Sequence, residues 1–141
     1  MLDSASVTRR LMVVDPCDEC RRLLPGLSNA GWDVETCALE QADARSCDVG
    51  LLRVQQFHLT HLDAIKKMIA SSGAEWIAVL DPELHALKSF RDLVGEWFFD
   101  FHTLPFDVAR AMITLGRAFG MACLREQSVS NLDDERHELL G

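Results

Sequence analysis

The chain has 141 residues, 48% of them hydrophobic and 26% charged, which suffices for one domain with a full core and lies outside the range of disordered chains. A formal charge of -8 argues against the clustered Lys and Arg that neutralise a phosphate backbone, so autonomous DNA binding is not expected. No stretch approaches the roughly 20 apolar residues of a membrane helix, and the apolar run after Arg9 and Arg10 is too short for a signal-peptide core, so no membrane partner and a cytoplasmic location are expected. In that reducing setting the five cysteines read as thiols rather than a disulfide framework.

Leu11 to Asp15 (LMVVD) is an apolar, β-branched run bounded by Asp and Pro, the pattern of a strand buried on both faces. Asp18 to Ala30 follows as a helix with Leu23, Leu24 and Leu27 at helical spacing and Gly31 as its stop, and Pro25 should bend or shorten it near Arg21. Strands are expected at Trp32 to Ala38 and at Val49 to Val54. A helix over His58 to Ser71 carries Leu59, Leu62, Ile65, Met68 and Ile69 as its stripe and ends before Gly73. Trp76 to Leu80 is a buried strand stopped by Asp81 and Pro82. Glu83 to Val94 reads as a helix and Trp97 to Phe101 as an aromatic strand. Phe106 to Arg125 is the longest periodic segment, with Val108, Met112, Leu115, Phe119 and Ala122 on one face, and the polar segment after it loses periodicity. Strand and helix alternate about five times, which calls for an α/β three-layer sandwich. The expected sheet is flavodoxin-like, five parallel strands in the order 2-1-3-4-5 with helices on both faces. Residues 1–10 are expected to form a tail, 11–125 the domain and 126–141 a linker.

In that topology functional groups gather beyond the carboxyl ends of the strands. The segment Asp100 to Phe106 (DFHTLPF) resembles the close of the fifth strand in receiver domains of two-component signalling, an aromatic residue followed by Thr, Lys, Pro and a bulky apolar residue. Phe101, Thr103, Leu104, Pro105 and Phe106 fill that frame with the lysine missing. The resemblance covers roughly residues 10 to 124 and implies three further departures. The acidic pair that holds Mg²⁺ in receivers is reduced to Asp15, with Pro16 and Cys17 after it. The phosphate-accepting aspartate is replaced by Arg53, and the Ser or Thr of the fourth strand by Asp81. Phosphorylation of an aspartate needs a carboxylate nucleophile, a divalent cation and a cationic side chain on the phosphoryl oxygens. Pro16, Arg53 and Leu104 remove all three, so the domain is expected to be a non-catalytic pseudo-receiver with no metal and no cofactor of its own. Arg53 is expected to lie between Asp15 and Asp81 as a fixed charge cluster in place of the metal, the alternative being an arginine in solvent at a strand end.

The runs Met12 to Cys20 (MVVDPCDEC) and Phe99 to Asp107 (FDFHTLPFD) are similar to the N-terminal domain of the VpsR-like group of σ54-dependent transcriptional activators. That resemblance implies a helical linker to an AAA+ ATPase domain that this sequence does not include. ATP hydrolysis and contacts with DNA and σ54 RNA polymerase would belong to the absent domains. It also implies control of biofilm or exopolysaccharide genes by cyclic di-GMP, without saying whether the nucleotide touches this domain. A homodimer is expected through the surface formed by the helix before the fifth strand, that strand, and the helix after it, which includes Arg91, Asp92, Trp97, Asp100, Arg110 and Arg117, with Phe101 at the position of the receiver switch aromatic.

Other readings remain open on the residues. A free-standing pseudo-receiver that binds a protein or nucleotide is the alternative to an activator domain. Cys17 and Cys20 have C-x-x-C spacing where a helix begins, a setting that favours thiolates, although one such pair is too little for structural zinc. His58 and His61 are three residues apart and read as surface residues rather than a metal pair, while Asp63, His85 and His102 have no partner defined by sequence. No G-x-S-x-G elbow occurs, and an enzyme is not expected.

Overall fold

Five strands, β1 (Arg9–Val14), β2 (Trp32–Cys37), β3 (Val49–Arg53), β4 (Glu75–Leu80) and β5 (Asp100–Thr103), form a single parallel sheet in the order β2-β1-β3-β4-β5. The computed structural model describes residues 8–42 and 47–140, with side chains to Arg125 except that of Leu59. Helices α1 (Asp18–Asn29) and α6 (Val108–Leu140) cover one face. The other face carries a 3-10 turn (Gln56–His61), α3 (Leu62–Ser72), the single turn α4 (Pro82–His85) and α5 (Lys88–Trp97), with α2 (Leu39–Ala42) beside them. The three-layer flavodoxin-like arrangement is as the alternation of elements required.

Strand alternation sorts the core into two halves. Met12, Val14, Leu52, Ala78 and Leu80 pack with Ile65, Met68, Phe90 and Leu93, whereas Leu11, Val13, Leu51, Ile77 and Val79 pack with Leu23, Leu27, Leu115 and Ala118. Both faces of the central strands are covered, which is why those strands read as continuous apolar runs rather than alternating ones. Gly50 lies opposite Trp76 on the neighbouring strand, and a Cβ there would sit 2.3 Å from the Trp76 ring. The tryptophan therefore occupies the space glycine leaves, and its indole N–H donates to Ser72 Oγ at 2.8 Å. Gly73, in the left-handed conformation (φ 70°), ends α3.

Several boundaries differ from the sequence reading. Arg9 and Arg10 do not belong to a tail, because β1 begins at Arg9. The Arg9 guanidinium lies over Trp32, its register partner, at 4.9 Å, and the Arg10 N–H donates to Asp48 Oδ2 at 2.9 Å. Of the rest of the expected tail, residues 1–7 lie outside the described residues. Helix α1 is not shortened by Pro25. Both Pro25 and Arg21, whose carbonyl loses its helical donor, are exposed, so water can replace the missing bond.

Trp97 is not part of a strand. It extends the helical stripe Phe90, Leu93, Val94 to the end of α5 and turns toward α3, where Lys66 Nζ lies 5.5 Å from its ring centre. Strand β5 consequently starts at Asp100. The single helix expected over Glu83 to Val94 is split into α4 and α5 by Leu87, which is extended. The segment expected to be a linker, which loses apolar periodicity and is helical by the VpsR-like resemblance, continues α6 as helix to Leu140.

Candidate functional site

The carboxyl ends of β1, β3, β4 and β5 bring Asp15, Arg53, Asp81 and Leu104 to one edge of the sheet. Arg53 closes β3 opposite Val79 of β4, and its long side chain reaches past the end of β4 to Asp81. One guanidinium nitrogen donates to Asp81 Oδ2 at 2.8 Å, with 13% of the Arg53 side chain and 37% of the Asp81 side chain exposed. The guanidinium is thus packed over the strand end and not in solvent. Its Nε is buried with no hydrogen-bond partner among the described residues.

Asp15 does not join that pair. Its backbone takes a positive φ of 49°, and its carboxylate bonds the ring of His58 at 3.2 Å. The expected three-member cluster is two pairs side by side, Arg53 with Asp81 and Asp15 with His58. His58 is not a surface histidine. It is completely buried, because the segment ahead of α3 folds into a 3-10 turn that drives the imidazole inward. Its Nδ1 accepts the Gln55 backbone N–H at 2.7 Å, which fixes the proton on Nε2, and Nε2 therefore donates to Asp15 Oδ2. Burial lowers the pKa of His58 from its ordinary value, and the hydrogen bond and charge of Asp15 oppose that shift only in part.

Sequence reasoning missed His58. The signal that could have found it is the spacing of Gln55 and His58, which reciprocally cap the 3-10 turn.

Pro16 stands half-buried after Asp15, where a second carboxylate would serve a divalent cation. Leu104 is partly buried beyond β5 with its N–H bonded to the Leu80 carbonyl at 2.9 Å, and it adds packing where a lysine would add charge. The donor set does not fit Mg²⁺, since Asp81 is held by a guanidinium and Asp15 by an imidazole N–H. Among the described residues no group of three or more His, Cys, Asp or Glu could hold a metal ion. A guanidinium stays protonated, and both His58 nitrogens are engaged, so neither group serves as a nucleophile or general base here.

The remaining residues of interest are spread around the molecule. Phe101 is half-buried and stacks on His85 of α4, ring centres 4.9 Å apart. Arg91, Asp92, Arg110 and Arg117 are exposed, Asp92 lies 3.9 Å from Lys88, and Asp100 is half-buried with its carboxylate on the Phe101 N–H. Trp97 faces α3 and so stands apart from that surface. His102 is buried on β5, and its Nε2 has no hydrogen-bond partner among the described residues.

A family model described as the VpsR domain matches residues 2–116. The chain belongs to that family. No curated protein matches the sequence of this VpsR domain. Among solved structures it is similar to NtrX from Brucella abortus, in complex with ADP, at 23% identity and TM-score 0.69 over 89% of this chain and 29% of that one. It is similar to the receiver domain of the sensor histidine kinase PA1611 from Pseudomonas aeruginosa PAO1, which has magnesium in its active-site cleft, at 18% identity and TM-score 0.62 over 81% and 99% of the two chains. It is also similar to a protein described as an adenylate cyclase from Rhodopirellula baltica, at 15% identity and TM-score 0.75 over 90% and 98%. At these identities the likeness shows the receiver fold alone. The VpsR domain has a receiver-like fold, and among its described residues no helix is long and apolar enough to cross a membrane.

Proposed function

We propose that this VpsR domain is a non-catalytic regulatory and dimerisation module of a cytoplasmic σ54-dependent transcriptional activator that passes a signal through α6 to an AAA+ ATPase domain without aspartyl phosphorylation. The observation that carries the reading is the Arg53 guanidinium paired with Asp81 where a receiver has its acceptor aspartate. It replaces the nucleophile and holds the neighbouring carboxylate at once. The helical continuation of α6 to Leu140 supports the route to a following domain. Contacts with polymerase and DNA fall to other domains, and the link to cyclic di-GMP and biofilm genes rests on the resemblance of the MVVDPCDEC and FDFHTLPFD runs to VpsR-like activators.

Incubation with acetyl phosphate and Mg²⁺, followed by intact mass and hydroxylamine sensitivity, tests the central claim. An unchanged mass is expected, and a hydroxylamine-labile phosphoryl adduct would overturn it. Titration of cyclic di-GMP against this chain and against a chain extended through the ATPase domain tests the nucleotide link, which no binding by either chain contradicts. Light scattering across concentration tests the dimer, and a strict monomer at high concentration counts against it.

A further inference from the structure

Cys17 is the residue before α1, with an extended backbone (φ -87°, ψ 178°), and Cys20 is the third residue of the helix. Those are the two positions whose side chains meet in a capping box. Here no cap oxygen is present and Cys17 makes no side-chain cap bond; its thiol donates to the Cys20 sulfur at 3.4 Å. Cys20 is fully buried among Leu11, Val13, Leu23 and Leu27, while Cys17 is half-buried at the surface end of the pair. A disulfide requires about 2.05 Å between sulfurs, so the pair has about 1.3 Å left to close (3.4 minus 2.05).

We propose that Cys17 and Cys20 form a reversible dithiol–disulfide site whose oxidant is a hydroperoxide. The Cys17 thiolate, reached first because it is the more accessible, attacks the outer peroxide oxygen. The O–O bond breaks, an alcohol leaves (water when the oxidant is hydrogen peroxide), and Cys17 becomes a sulfenic acid. Cys20 then gives up its proton and attacks the Cys17 sulfur. The S–O bond breaks, the hydroxide leaves with that proton as water, and the disulfide forms. The two thiols lose two electrons and two protons, and the peroxide takes up both.

The division of roles follows from burial, which pushes the Cys20 thiol up to about 12 and keeps it from acting as the first nucleophile. The nearby Arg53 charge favours the Cys20 thiolate when its turn comes. Contact between the sulfurs makes the second step intramolecular, where effective concentrations offset a small thiolate fraction. The bond would close two residues from Asp15, the residue that holds His58.

The Leu11–Arg21 tryptic peptide contains both cysteines and no other. The chain is treated with a small excess of hydrogen peroxide, unfolded in iodoacetamide and digested. The expected peptide carries no alkyl group, is lighter than the dithiol by two hydrogens, and returns to a doubly alkylated form after reduction. Cys20→Ala is expected to accumulate a dimedone-reactive sulfenic acid at Cys17, and Cys17→Ser to leave Cys20 fully alkylatable after the same peroxide. Double alkylation of the wild-type peptide after peroxide would overturn the proposal. So would a sulfinic acid on Cys17 beside an alkylated Cys20. Should Cys20→Ala fail to fold, the wild-type chain and Cys17→Ser carry the test.

Discussion

At the scale of the residue, Arg53 decides what the strand-end pocket can be. Its guanidinium is mostly covered, whereas Asp81 keeps over a third of its side chain in water, so the pair is weaker than a fully buried one and stronger than a surface one. Arg53→Ala should lower unfolding free energy by about 1–2 kcal/mol, the size of a charge-assisted hydrogen bond. Arg53→Asp should cost more, because it sets a carboxylate against Asp81. Adding Asp81→Ala to Arg53→Asp should recover part of the loss, and a denaturant-melt double-mutant cycle without such recovery would refute direct contact. This pair was legible in the sequence because topology alone brings the ends of β3 and β4 together. The partner of Asp15 was not, since Leu62, Ile65, Met68 and Ile69 hide the change from 3-10 turn to α-helix at His61. His102 presents the opposite case, a buried ring nitrogen with no hydrogen-bond partner among the described residues. Leucine in its place removes that desolvated group and should raise stability by about 1 kcal/mol in a thermal melt at neutral pH.

Among the elements, one substitution changes sign with its setting. Gly50→Ala would place a methyl inside the Trp76 ring, and because the ring is held by Ser72 and by the core it cannot retreat without opening a gap elsewhere. Overpacking of this kind should cost about 3 kcal/mol. Gly120 lies on the exposed side of α6 with nothing within 4 Å of an added Cβ. Gly120→Ala should therefore stabilise the helix by about 0.5–1 kcal/mol, the propensity difference between the two residues. Paired urea titrations check both, and equal effects of like sign would contradict the packing described. Apolar runs and periodicity located β1 to β4 and helices α1, α3 and α6, since each must bury a face. They failed where two elements meet without a turn residue. Trp97 satisfies an aromatic-strand reading and a helical stripe equally well, and packing against α3 is what selects the helix.

For the whole molecule, the sheet and its two helical layers are closed by a few polar ties that also set the response to acid. Arg125 of α6 donates to the Gly73 carbonyl at 2.8 Å and lies 3.2 Å from Glu75, fastening the long helix at the amino end of β4. His58 and His102 are buried in opposite layers, one against α3 and the other facing α6, so protonating either sets a charge on a buried ring. Burial lowers the pKa of both, reinforced at His102 by the positive charge of Arg110 and opposed at His58 by Asp15. A histidine lowered in the folded state binds fewer protons there than in the unfolded chain once the pH drops below the ordinary value of 6.5. Their contribution to stability is therefore fully present above that value and is lost as pH falls through it toward the lowered folded values. Each can contribute a slope of up to about 1.4 kcal/mol per pH unit in that window. Unfolding free energies measured by urea at intervals from neutral pH down to about pH 5 should fall steadily. His102→Leu should reduce that slope and leave the His58 share, and an unaltered slope in the variant would mean that His102 does not titrate between folded and unfolded states.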